Sequence, residues 1–173
     1  LTLAALAGNA PVVDLLLRHG ARINAEDDRG VTALLAAAFA GNASIALALL
    51  EHGASIGHCA KDGAHALSSA AQQGDVATIR VLLEHGADVN MPGNLHKASP
   101  VLLASQGCHS EAVRELVAAG ADPDLRDANG ASALDYTDKT LRRRKKKKEI
   151  DDRRAAQLRQ EIEAALASAH CAR

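Results

Sequence analysis

The chain has 173 residues, 47% of them apolar and 24% charged, which is ordinary for one globular domain with or without an appendage. Its net charge of −1 divides into an acidic body, with 8 Lys and Arg against 16 Asp and Glu in residues 1–138, and a basic tail, with 12 against 5 in residues 139–173. No apolar run approaches the roughly 18 residues of a membrane span, and no secretory signal is visible.

A period of 33 residues runs through most of the chain. Gly8, Gly41 and Gly74 follow it, and a block ending in a glycine turn recurs as LLLRHGARIN (15–24), ALLEHGASI (48–56), VLLEHGADVN (81–90) and ELVAAGADPD (115–124). In chain order this predicts a truncated copy at 1–25, full copies at 26–58, 59–91 and 92–125, and a degenerate copy at 126–140. A tail at 141–173 follows them.

Each copy predicts two short helices joined by a glycine turn. Thr32 and Ser99 stand where a helix N-cap belongs, and Gly41 and Gly53 stand just past helix ends. The second helices carry an apolar face, marked by Val13, Ile45, Ile79 and Val113. Because one helix pair cannot bury such a face alone, the copies are expected to stack into an all-α solenoid.

Some positions depart from the repeat. His65 replaces the capping Thr, which predicts a helix start weaker by about 1 kcal/mol or less. Cys108 occupies a helix-ending glycine position, and one extra residue near 91–94 predicts a bulged loop. The first copy leaves three leucines uncovered, which leads us to expect further chain upstream: Leu1, Leu3 and Leu6.

The repeated residues resemble the ankyrin repeat. The best-matched copy carries the motif positions Asp27, Gly30, Thr32, Leu34, Gly41, Leu49, Leu50, Gly53 and Ala54. The resemblance covers residues 1–140 and implies an all-α ankyrin-repeat solenoid, with helix-turn-helix pairs, short β-hairpin loops and a charged C-terminal helix after them. It also implies a protein–protein interaction scaffold whose partner is another protein of unknown identity.

In that family, partners contact the hairpin tips and the exposed residues of the first helices. By position, the tips here offer Asp28, Arg29, Lys61, Asp62, Leu95, His96, Ala128 and Asn129. The first helices offer Leu3, Leu6, Ala36, Phe39, Ser69, Gln72, Gln73, Leu103, Gln106 and Tyr136. Phe39, Leu103 and Tyr136 are the expected anchors, since a few aromatic and aliphatic groups dominate interface energetics. The alternative for Phe39 and Leu103 is packing between neighbouring repeats.

The residues predict no catalytic, metal or cofactor site, and therefore no enzyme. His19, His52 and His85 recur every 33 residues, but stacked helices about 8–10 Å apart are too distant for one zinc ion. We interpret these histidines as favourable to the helix C-terminal dipole. Cys108 and His109 are adjacent and point apart, without a third orienting group. Phosphate-loop, dinucleotide and metalloprotease motifs are absent from the sequence.

The tail begins with seven consecutive cations: Arg142, Arg143, Arg144, Lys145, Lys146, Lys147 and Lys148. They are typical of a solvated or capping helix, a nuclear-import signal, or a contact with nucleic acid or an anionic surface. Without Gly or Pro in residues 131–173, one long helix is expected, with an apolar stripe from Ala155 to Ala169. The stripe predicts packing back on the stack, where the tail caps the last repeat and competes for the groove, or a short coiled coil.

These patterns leave two functions open. The first is a protein-binding module working through the concave groove and the tips. The alternative is a nuclear regulatory protein whose basic tail contacts nucleic acid or an anionic surface. The three cysteines, an odd number without CxxC spacing, favour an intracellular location, cytoplasmic or nuclear or both. We expect a monomer unless the C-terminal helix pairs.

Overall fold

A computed structural model of the chain describes residues 1–94, 96–147 and 149–171, with side chains to Ser168. These residues form ten helices and no strand. The helices are α1 Thr2–Leu6, α2 Ala10–Arg18, α3 Ala33–Phe39, α4 Ala43–Glu51, α5 Ala66–Gln73, α6 Val76–Glu84, α7 Pro100–Gly107, α8 Ser110–Ala118, α9 Ala133–Lys146 and α10 Asp152–Cys171. The predicted contact Leu95, the cation Lys148 and the side chain of Ala169 lie outside this description.

The helices stack in two rows. The inner row holds α1, α3, α5, α7 and α9, each packed on the next, and the outer row holds α2, α4, α6, α8 and α10. Each inner helix also packs on the outer helix that follows it in the chain. The predicted all-α solenoid of helix pairs is confirmed. Among the described helices, none is long and apolar enough to cross a membrane.

Local signals in the sequence fix the helix ends. The Thr32 hydroxyl accepts a hydrogen bond from the Leu35 N–H at the start of α3. At the ends of outer helices, a histidine Nδ1 lies 2.8 Å from the carbonyl oxygen four residues earlier, as at His19 and Leu15. His52 and His85 repeat this contact. The recurring histidines are therefore helix-terminal caps.

His65 caps the start of α5 with its ring, at the position where the sequence predicts a weaker helix start than Thr would give. Its Nδ1 accepts from the Ser68 N–H at 3.3 Å, and the Ser68 hydroxyl oxygen accepts from the His65 N–H at 2.9 Å. The other ring nitrogen, Nε2, lies 3.0 Å from the Met91 carbonyl oxygen. Met91 belongs to the loop with the extra residue. The His65 ring therefore both caps α5 and contacts the loop that contains the extra residue.

The single long helix predicted for 131–173 is wrong, because α9 ends at Lys146 and α10 begins at Asp152. Like charges four residues apart destabilise a helix, which favours an end within the cation run. Asp151 then starts α10 by accepting from the Arg154 N–H at 2.7 Å.

Helix α10 returns along α8 and occupies the outer row, in the place of a second helix for a fifth pair. Its apolar stripe is buried within the chain at Ala155, Leu158, Ile162, Ala165 and Leu166. This favours packing on the stack over pairing with another chain. The tail does cap the last repeat, but it does not cover the groove, because the groove lies along the inner row.

Candidate protein-binding surface

The loops between copies carry rigid tips on the inner side of the stack. Asp27 Oδ1 accepts from the backbone N–H groups of Arg29 and Val31 at 2.9 and 2.8 Å. These bonds, the one from Val31 first, hold the pKa of Asp27 below its usual range. Neighbouring tips are joined directly, since the Lys61 N–H donates to the Arg29 carbonyl at 3.0 Å. The tip side chains therefore project from a fixed backbone.

A cavity of about 290 Å³ lies between these tips and the first three inner helices. Phe39 is 54% exposed in it and Leu6 is 45% exposed, whereas Leu3, at 81%, stands at the repeat position where Ala36, Ser69 and Leu103 are buried. Arg29 and Asp62 stand at its polar edge. We call the surface formed by Leu3, Leu6 and Phe39 the apolar groove. Its composition is typical of a binding site with an apolar floor and few polar groups.

Most of the predicted contact residues within the described part are exposed on this side of the molecule: Asp28, Arg29, Phe39, Lys61, Asp62, Gln72, Gln73, His96 and Gln106. Ala36, Ser69 and Leu103 are buried instead. Leu103 is 3% exposed and belongs to the main core, so its prediction as an anchor is wrong. The alternative of packing between repeats holds for Leu103 and fails for Phe39.

Tyr136 is held by its own tip. The ring is partly buried against the core, and its hydroxyl donates to Asp127 Oδ2 at 3.0 Å. Burial first, and then the bond to Asp127, raises the pKa of Tyr136 to about 12. Asp127 Oδ1 in turn accepts from the Asn129 and Ala131 N–H groups, as Asp27 does in its own tip. Tyr136 therefore stabilises the last tip, and Phe39 is the more accessible ring.

Position in the repeat separates the exposed residues from the buried ones. Phe39, Gln72 and Gln106 each lie seven residues after the N-cap of their inner helix, and all are exposed. Leu6 occupies the same position in the first copy. Ala36, Ser69 and Leu103 lie four residues after the cap, and all are buried. Aligning the copies by their caps would have found this difference; judging Leu103 by residue type alone missed it.

Cys108 and His109 face different neighbours. The Cys108 thiol is buried beside Leu141, Ala155 and Leu158, and burial raises its pKa. The His109 ring lies against Gly74 and hydrogen-bonds the Gln72 backbone. The pair therefore lacks the geometry of a nucleophile with its base.

His65 and His109 lie on either side of the junction between the third and fourth copies: His65 holds the loop at Met91, and His109 contacts the third copy at Gln72 and Gly74. Burial is the largest cause that lowers the pKa of each imidazole below its usual value of 6.5. The unfolded chain therefore takes up protons first as the pH falls. The stability contributed by the neutral rings is fully present above about pH 6.5 and is lost as the pH falls below it.

We expect the free energy of unfolding to decrease as the pH falls from 7 to 5, because the unfolded chain binds more protons than the folded chain over this range. Urea titrations followed by circular dichroism at several pH values measure this loss. His65→Thr, which restores the cap of the other copies, should flatten the dependence. Thr32→Ser, at the matching cap of the second copy and without a titratable group, should leave it unchanged. An equal change in slope for both variants would show that buried His65 is not responsible.

Comparison with protein-family models supports the repeat. A model described as ankyrin repeats in three copies matches residues 1–93, and one described as ankyrin repeat matches residues 96–128. The two matches cover most of the chain and meet at the loop with the extra residue. A search of curated proteins found no match.

Proposed function

Because the chain belongs to the ankyrin repeat family, whose members are generally protein-interaction modules, we propose that it binds a partner protein in the apolar groove. The exposure of Phe39 carries this proposal. In a chain with two aromatic residues, one lies open in a cavity beside Leu3 and Leu6. Exposed aromatic rings in such settings often supply most of the binding energy.

The proposed partner presents an apolar side chain to Phe39 and polar groups to the edge of the groove. Arg29 is the suitable cation there, because its side chain is 83% exposed and its ion pair with Asp27 is long, at 3.8 Å. Asp62 is the suitable anion, since its side chain also lines the cavity. A segment with an apolar anchor flanked by an acidic and a basic residue fits this arrangement.

We expect Phe39→Ala to weaken partner binding by about tenfold or more, since truncating an interface anchor costs about 2 kcal/mol. The chain offers a matched control in Leu15, an exposed apolar residue of the outer row. Leu15 is 55% exposed, almost the same as Phe39. Quantitative pull-down and titration of the captured partner compare the two variants with the original chain.

Loss of binding in Phe39→Ala alone supports the groove. Equal binding by both alanine variants, or equal loss from both, would contradict it.

We further propose that the protein acts as an intracellular monomer without catalytic activity. Free thiols at Cys59 and Cys108 and the burial of the α10 stripe within the chain support that part of the proposal.

A further inference from the structure

Helix α9 is longer than the other inner helices. It has 14 residues, whereas α3, α5 and α7 have 7 or 8. The additional turns pass the end of α7, where Arg144 Nη2 donates to the Gly107 carbonyl at 3.3 Å. Leu141 is buried beside Cys108 in the same region. The extension is therefore a fixed helical segment at the edge of the stack away from the tips.

The cations of this segment divide into two sets. Arg144 is bound to Gly107, Lys145 pairs with Asp152, and Lys147 lies 3.8 Å from Glu149. The other set occupies one helix face at spacings of three, four and seven residues: Lys139, Arg142, Arg143 and Lys146. All four are exposed, and none has an ion pair or side-chain hydrogen bond within the described part of the chain. We call these four residues the cationic stripe.

The nearest carboxylates have partners of their own. Asp135 and Asp138 lie with Lys139 and Arg142 around one shallow cavity. Asp135 accepts from the Ser132 N–H and hydroxyl at 2.8 and 2.7 Å. Asp138 accepts from Arg159 Nε at 2.8 Å. Asp138 is thus paired with Arg159, and Asp135 lies 3.9 Å from Arg126, so neither forms an ion pair with the stripe within the described part of the chain.

We propose that the cationic stripe binds the phosphodiester backbone of a nucleic acid. Seven residues of α-helix span about 10 Å. Along the axis of a DNA duplex, one strand carries roughly three phosphates in that length, at about 3.4 Å of axis per phosphate. The stripe has no apolar or aromatic side chain. It therefore lacks the anchors that a protein interface buries and the apolar face that an interfacial helix inserts into a membrane.

A surface of this kind recognises charge and not base sequence. Phosphate contacts position a protein on nucleic acid, whereas base contacts specify the sequence. The stripe also lies away from the apolar groove, so its role does not depend on the proposed protein partner. One chain would then bring a groove-bound protein to a polyanion held at the opposite edge.

The test uses fluorescence anisotropy of a short labelled DNA duplex with the full chain at low salt. We expect log affinity to fall with log salt with a slope of about −3, as for three phosphate contacts. Arg142→Gln/Lys146→Gln should lower the affinity by about tenfold or more and reduce the slope by about 2. Lys145→Gln/Lys147→Gln removes the same charge from paired positions and should change the affinity by less than about threefold.

The charge-preserving exchange Arg142→Lys/Lys146→Arg should retain binding. Circular dichroism of each variant checks that the helices are intact. Equal loss in the two glutamine variants would overturn the stripe as the site and attribute binding to overall charge. Failure of the original chain to bind the duplex would also overturn the proposal, as would equal binding to acidic phospholipid vesicles or polyglutamate.

Discussion

Replacing Gly74 with Ala is expected to lower the free energy of unfolding by about 3 kcal/mol. Gly74 ends α5 in the left-handed region, with a φ of +73°. Alanine in that left-handed conformation costs backbone strain energy. Its methyl group would also overlap the His109 ring. Since His109 ties the fourth copy to the third, the overlap displaces a contact between copies as well as straining one turn.

Gly86 provides the matched control. It has a φ of +86°, and a methyl group built there meets no atom within 4 Å. Gly86→Ala should therefore cost only the backbone strain, about 1 kcal/mol. Urea denaturation followed by circular dichroism suits a chain without tryptophan. Gly74→Ala/His109→Ala should recover part of the loss. Equal destabilisation by Gly74→Ala and Gly86→Ala would mean that the His109 ring moves aside without an energetic cost.

The period of 33 residues predicted much of the fold because equivalent positions have the same structural role in each copy. Gly41 and Gly74, for example, both take the left-handed conformation after an inner helix. The sequence pattern likewise identified the recurring histidines as helix-end residues. Repetition supplies several independent observations of each position. That makes the prediction stronger than any single copy would allow.

Features that occur once were harder to predict. The His65 ring replaces the capping Thr by accepting from the Ser68 N–H while its other nitrogen contacts the Met91 carbonyl. The second contact exists only when the loop at Met91 is folded. The break after Lys146 has no Gly or Pro to mark it. It depends on charge repulsion within α9 and on the packing of α10 against α8. The His65 cap and the break after Lys146 depend on tertiary contacts, which local sequence patterns do not reveal.

The candidate surface was predictable in part for a related reason. Phe39 and Leu103 are both large and apolar, so residue type ranks them as equal anchors. Their positions relative to the cap differ, and only Phe39 faces the groove. Lys139 occupies the Phe39 position in the fifth copy. The row of positions that forms the groove at one end of the stack thus continues into the cationic stripe at the other.

Replacing Ile162 with Asp is expected to destabilise the protein by about 4 kcal/mol or more, since it places an unpaired charge in the core. Ile162 is 0% exposed and belongs to the same core cluster as the inner helices. Ile162→Ala, which leaves a cavity without a charge, should cost about 3 kcal/mol. Both values follow from α10 acting as the second helix of a fifth pair.

Gln160 is the matched position for this test, because it lies on the exposed face of the same helix. Gln160→Asp should change the free energy of unfolding by less than about 0.5 kcal/mol. Thermal and urea denaturation at pH 7 distinguish the variants. If α10 were an independent tail, the two Asp substitutions would have similarly small effects on the repeats. A large loss confined to Ile162→Asp would make the C-terminal helix part of the cooperative fold that supports both proposed surfaces.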